Sequence, residues 1–122
     1  IGMFRKIPRG LIVAGLEVLD SDAGQSAAAL HEFDRRLPGL LEQLRPGDLL
    51  ILTGDHGRDI TRADQMATRE YVPLLAIGPK LAHGVHLGIR TSVADIGHTI
   101  VEALQGGQLP AGESFLDALR AG

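Results

Sequence analysis

The chain contains no cysteine and no tryptophan, and its aromatic residues are one tyrosine and three phenylalanines among 122 residues. Without cysteine there can be no disulfide, thiolate zinc site or cysteine nucleophile, so any metal must be held by Asp, Glu and His. The same absence suits a reducing compartment, and we expect a cytoplasmic protein. A formal charge of −3 and so few rings offer nothing to attract or stack nucleic acid, which we exclude as a partner.

Long hydrophobic runs are also missing. No apolar stretch reaches the ~18 residues that a membrane span needs, so we expect no membrane partner. Hydrophobic residues still make up 44% of the chain. A chain of this length can bury roughly two thirds of its unfolded surface, which predicts a single globular domain over residues 1–122.

Three short apolar runs predict strands that are buried on both faces, because they show no alternation with polar residues. These runs are Leu11–Leu16, Leu49–Leu52 and Val72–Ile77. Strands that alternate with helical patterns predict an α/β domain with a mostly parallel sheet and flanking helices. Ligands of such a domain bind outside the carboxyl ends of the strands.

Three segments have helical signatures. Apolar residues at three- and four-residue steps predict a long amphipathic helix from Asp22 to Leu44, which Pro38 should kink or divide. Ser92 and Asp95 are spaced as a capping box, which predicts a helix that ends at Gly106-Gly107. A short helix from Glu113 to Leu119 is predicted to close the chain.

Asp55 and His56 are the candidate metal ligands that the local pattern favours. They follow a predicted buried strand directly, and a carboxylate beside an imidazole is a suitable ligand pair at that edge of a sheet. The structural alternative is a turn-forming Asp with a hydrogen-bonded His. Asp20 and Asp22 end the preceding strand and could reach the same edge, although helix capping is the favoured role for Asp22. The other histidines are expected in solvent: His31, His83, His86 and His98.

Four motifs, in this order and spacing, closely resemble the C-terminal part of phosphopentomutase. They are Thr53-Gly54-Asp55-His56-Gly57, Thr68-Arg69-Glu70-Tyr71-Val72-Pro73-Leu74-Leu75, Leu87-Gly88-Ile89-Arg90 and Ala94-Asp95-Ile96-Gly97. The resemblance implies a partial alkaline-phosphatase-like α/β core. It also implies an enzyme that uses two Mn²⁺ ions to move phosphate between the C1 and C5 oxygens of ribose or deoxyribose, so a pentose phosphate becomes an expected ligand.

The family's metal ligands carry over only in part. By resemblance Asp55 and His56 would hold one metal, and Asp20 matches the Asp that ends the preceding strand. The family has a His five residues after that Asp and another just before Thr-Arg-Glu, whereas this chain has Gln25 and Ala67 there. The family's N-terminal core segment with its phosphate-carrying Thr, and its cap domain, would precede this chain.

Two hypotheses follow from this partial match. The first is a phosphopentomutase-like domain that retains Asp55, His56 and Asp20 and needs a second chain to complete its core. The second is a non-catalytic descendant that serves as a binding or assembly module, with a homo-oligomer as one form. We expect the isolated chain to lack mutase activity, because positioning and charge cannot catalyse without the nucleophile and most metal ligands.

Overall fold

The computed structural model describes residues 8–16, 23–59, 61 and 67–120. In these residues the helices are α1 (Ala23–Leu41), α2 (Ala94–Ala103) and α3 (Leu116–Arg120), and the strands are β1 (Leu50–Thr53), β2 (Gly57–Arg58), β3 (Ala67–Thr68) and β4 (Leu74–Ile77). No helix in these ranges combines the length and apolarity needed to cross a bilayer.

The predicted strands at 49–52 and 72–77 both exist, but the prediction that they lie in a mostly parallel sheet is wrong. β1 pairs antiparallel with β4, and Leu50 faces Ile77 at one end of the ladder while Thr53 faces Leu74 at the other. A parallel pair needs a crossover connection, usually a helix. The described part of the connection between β1 and β4 contains instead a second antiparallel pair, β2 with β3, which the unpatterned polar sequence did not predict.

The first predicted strand, Leu11–Leu16, is not a strand. All of its residues are exposed, with Val13 at 82% and Leu11 at 54%. An apolar strand of this type requires a neighbouring strand and a packed layer on each face. In the described part of the chain, the sheet of β1 and β4 has only these two strands, and this segment does not pair with either of them.

Helix α1 confirms the long helix predicted after Asp22. It runs through Pro38 as one element and is not divided there. The apolar stripe of this helix stays partly exposed: Phe33 and Leu37 are half-buried, and Leu30 is exposed. The opposite side carries exposed ion pairs from Glu32 to Arg35 and Arg36.

The buried core of the described residues lies at the C-terminal end of the chain. Its apolar members are Phe115, Leu116 and Leu119, on and just before α3. α3 begins three residues later than the predicted helix, and it packs against α2. α2 ends in a Schellman motif, in which Gly106 N–H donates to the Val101 carbonyl and Gln105 N–H donates to the Glu102 carbonyl.

Candidate functional site

The predicted ligands Asp55 and His56 lie in a bend between β1 and β2. Gly57 follows this bend as the first residue of β2. It is buried, and a Cβ at this position would lie 2.7 Å from the backbone nitrogen of Glu70. Only glycine allows β2 to lie so close to the segment that follows β3. The motif therefore has a local structural reason for its glycine, in addition to any chemistry of its neighbours.

The side chains of Asp55 and His56 contact each other. His56 Nδ1 donates to Asp55 Oδ1 at 2.8 Å. The Asp55 side chain is 94% exposed and the His56 side chain 34% exposed. This contact leaves most of the Asp55 carboxylate open to solvent at the end of β1.

The structure joins this bend to the second motif. Thr68 pairs with Gly57 across β2 and β3, and the Thr68 hydroxyl donates to the Glu70 carboxylate. Two motifs separated by ten residues in the sequence thus meet at one place. Arg69, next to them, is exposed.

The other residues considered from the sequence lie as follows. Asp20 and Asp22 are outside the described residues, Gln25 is on the first turns of α1, and Ala67 begins β3 without a ligand atom. His31, His83 and His86 are exposed, as expected. His98 differs from expectation: it is half-buried, and its Nδ1 lies 3.0 Å from the Gly112 carbonyl oxygen, to which the protonated ring nitrogen donates.

The described residues do not form a metal site by themselves. No three His, Asp or Glu side chains within these ranges are grouped to hold a metal ion. Asp55 and His56 supply two donor groups, and the atoms Oδ1 and Nδ1 already bind each other. Structural zinc sites take four protein ligands and catalytic zinc sites take three. A site of that kind at Asp55 and His56 would need ligands from residues beyond those described or from another polypeptide.

A buried polar junction surrounds Asp95, and the sequence pattern did not predict it. Asp95 Oδ2 accepts from Arg90 Nε at 2.7 Å and its Oδ1 from Glu113 N–H at 2.8 Å. The expected capping box is wrong: the N-cap of α2 is Val93 and has no side-chain cap hydrogen bond. Ser92 Oγ accepts from Ala94 N–H in a local turn, and the Asp95 carboxylate serves this junction instead of the helix end. An Arg five residues before an acidic residue at a helix start was the available signal.

Electrostatics and packing both hold this junction together. The Glu113 amide, and then Arg90, keep the pKa of Asp95 below its ordinary value against the opposing effect of burial. Thr99, which is completely buried, donates through Oγ1 to the Asp95 carbonyl and accepts from Phe115 N–H. The Arg90 guanidinium lies 5.7 Å from the centre of the Phe115 ring. These contacts fix the C-terminal segment onto the start of α2.

Comparison with known proteins agrees with the motif resemblance. Residues 20–107 match the metalloenzyme superfamily. A phosphopentomutase from Desulfitobacterium hafniense is 43% identical over 125 residues, which cover 98% of this chain and 32% of the relative. One from Chelativorans sp. is 55% identical over 102 residues, covering 81% of this chain and 24% of the relative. The phosphopentomutase of Symbiobacterium thermophilum is 42% identical over 117 residues, which cover 91% of this chain and 30% of the relative.

The chain spans no more than 32% of the length of these relatives. The matched stretch includes Asp55 and His56, the Thr68-Arg69-Glu70 motif, and Arg90 and Asp95 of the buried junction. The chain thus corresponds to the C-terminal part of phosphopentomutase and belongs to the metalloenzyme superfamily.

Proposed function

We propose that this chain is the C-terminal part of a phosphopentomutase-type centre and contributes some of its metal ligands. The reaction would move a phosphoryl group from the C1 oxygen of ribose or deoxyribose to the C5 oxygen, or back, so that the sugar phosphate is isomerised. The observation that carries the proposal is the bend at Asp55 and His56, which β2 and β3 join to the Thr68-Arg69-Glu70 motif. The phosphopentomutases to which the chain is similar support the reaction type.

The proposed ligands are Asp55, His56 and Asp20, and the proposed metal is Mn²⁺. When bound, metal ions in such a centre would stabilise the attacking and leaving oxygens of the transfer. The exposed Asp55 carboxylate has an oxygen besides the one bonded to His56. This chain's own role is to present the carboxylate and imidazole together at the end of β1.

We further propose that the isolated chain does not catalyse the reaction. Ala67 has no ligand atom, and the described residues group no three metal-binding side chains. A second polypeptide segment would have to supply the nucleophile and the remaining ligands, in the cytoplasm where pentose phosphates are found. Phosphopentomutase activity of the purified chain alone would contradict this part of the proposal.

Calorimetric titration of the chelator-treated protein with Mn²⁺, and then with Zn²⁺, tests the ligand assignment. We expect weak binding by the wild-type chain that His56→Ala abolishes, because two or three protein ligands hold a metal loosely. His86→Ala is the matched control, since His86 is an exposed histidine outside the Thr53–Gly57 motif. Equal binding by wild type and His56→Ala would remove His56 from the proposed site.

The second candidate function is a non-catalytic binding or assembly module. The observation in its favour is the small buried core, which in the described residues comprises three apolar side chains, Phe115, Leu116 and Leu119. A chain that buries so little of its apolar surface is expected to find a partner, often a second copy. Sedimentation velocity tests this candidate, and a monodisperse monomer at high concentration would count against self-assembly.

A further inference from the structure

A half-open groove of about 960 Å³ lies between β4 and the loop over residues 81–93. We refer to it as the β4 groove. Five large apolar side chains that line it are exposed: Tyr71 at 84%, Ile89 at 76%, Val93 at 64%, Leu75 at 55% and Val85 at 36%. Exposed apolar residues scattered singly are ordinary, but a contiguous set in one groove marks an interaction site.

The composition of the β4 groove suits a polypeptide. Aliphatic side chains make up much of its lining, and Arg69 and Tyr71 also lie among the lining residues. Arg and Tyr are the residue types that most often dominate the binding energy of protein interfaces. The lining also includes Glu70, His83 and Arg90, but apolar area predominates in it, which favours a polypeptide over a small polar ligand.

The length of the relatives indicates what covers the groove. The D. hafniense phosphopentomutase matches 98% of this chain, yet that match is 32% of the relative, so most of a protein of this type lies outside it. Residues 71–93, which form most of the groove, lie inside the part that matches the family. A chain of this length could bury roughly two thirds of its surface, but the buried apolar residues in the described part are confined to its C-terminal end.

We infer that the β4 groove is a docking face for the part of a phosphopentomutase-type protein that lies outside the matched third. This inference rests on the proposed function, and it adds the surface through which the centre is completed. Leu75, Ile89 and Val93 would be covered by apolar side chains of that part, and Arg69 would lie at the edge of the contact. The partner segment replaces solvent over a face that this chain leaves open.

The test compares the same substitutions in two settings. The first is the chain alone; the second is a fusion in which the chain replaces the matched segment of the D. hafniense phosphopentomutase. We expect Ile89→Lys and Leu75→Lys to leave the Tm of the isolated chain unchanged, because both positions are exposed, and to lower the Tm of the fusion by several degrees. Ile89→Leu is the matched control and should change neither the Tm of the isolated chain nor that of the fusion. Lysine variants that leave the fusion unchanged would overturn the inference.

Two further measurements test whether the β4 groove is a docking face. If the fusion does not fold, lysine is placed at the aligned positions of the intact Chelativorans phosphopentomutase, where the same loss of Tm is expected and its absence would overturn the inference. Sedimentation of the isolated chain identifies the competing occupant: a dimer that Ile89→Lys dissociates would assign the groove to a second copy. All these measurements omit metal and substrate, so a failure of metal binding and a failure of docking are distinguished.

Discussion

The bend at Asp55 and the junction at Asp95 each pair a carboxylate with a basic side chain at nearly the same distance. His56 Nδ1 lies 2.8 Å from Asp55, and Arg90 Nε lies 2.7 Å from Asp95. Their exposure is opposite, since the Asp55 side chain is 94% exposed and that of Asp95 is 6% exposed. A side-chain pair that is exposed to water contributes little to stability, whereas removing one partner of a buried charge pair is costly. The exposed candidate ligand Asp55 and the buried Asp95, which stabilises the fold, are therefore different residues in different parts of the chain.

The largest expected effect is the loss of the buried carboxylate. Asp95→Asn should lower the free energy of unfolding by about 3 kcal/mol, because Arg90 would face an amide and lose its charged partner. Urea denaturation followed by circular dichroism measures the change. Glu32→Gln is the control, since Glu32 pairs with two arginines on exposed α1 and its loss should leave the midpoint unchanged. Equal effects of the two substitutions would remove the distinction between buried and exposed pairs.

A somewhat smaller loss is expected at Thr99. In Thr99→Val the shape is kept but the Phe115 N–H loses its acceptor in a buried position. This should cost about 2 kcal/mol, the typical penalty for an unsatisfied buried donor. Thr99→Ser retains the hydroxyl and should retain most of the stability. Thermal unfolding of the two variants compares them directly, and a Val variant that is more stable than the Ser variant would show that the hydroxyl does not hold the segment.

The junction also predicts how stability depends on pH. The pKa of Asp95 is below its ordinary value in the folded chain because of the Glu113 amide and Arg90. The unfolded state therefore takes up a proton first as pH falls, and the contribution of Asp95, complete at neutral pH, should decline below about pH 4. Asp95→Asn should flatten this part of the stability profile. An identical acid slope in wild type and variant would contradict the assignment.

At the end of α2 a small gain is expected. Gln105 has φ of 59°, a left-handed conformation that costs a non-glycine residue roughly 1 kcal/mol, and it occupies the Schellman position that glycine usually fills. Gln105→Gly should therefore raise the free energy of unfolding by about 0.5 kcal/mol, after the loss of the hydrogen bond that Arg9 donates to the Gln105 side chain. Gln105→Ala removes that same hydrogen bond without relieving the backbone. A glycine variant no more stable than the alanine variant would contradict the backbone explanation.

The sequence predicts local elements of this chain better than their arrangement. The periodicity after Asp22 located α1, and the apolar runs located β1 and β4, because these patterns depend on neighbours along the chain. The parallel direction predicted for β1 and β4 was wrong, because nothing within either apolar run specifies which strand it pairs with or in which direction. The run at Leu11–Leu16 has the pattern of a buried strand, yet it is exposed here, because burial depends on what surrounds a segment.

The same reasoning separates the two carboxylates. Asp55 was selected as a candidate because it follows a strand in a recognisable motif, and the structure places it 2.8 Å from His56. Asp95 was assigned to helix capping, since its partners are a distant backbone amide at Glu113 and an arginine outside the helix. Its role comes from a contact across 18 residues of sequence, which local spacing does not reveal.

The smallest expected effect completes the comparison. Asp55→Asn should change the free energy of unfolding by less than about 0.5 kcal/mol, because the Asp55 carboxylate is exposed and surface pairs of this kind contribute little. Thermal unfolding of wild type and variant at low and high salt measures this. If Asp55→Asn proves as destabilising as Asp95→Asn, the bend is part of the structural core and its exposed carboxylate is no longer available as a ligand without loss of the fold. If it is neutral, the carboxylate can change partner, from His56 to a metal ion, at little cost to the folded chain.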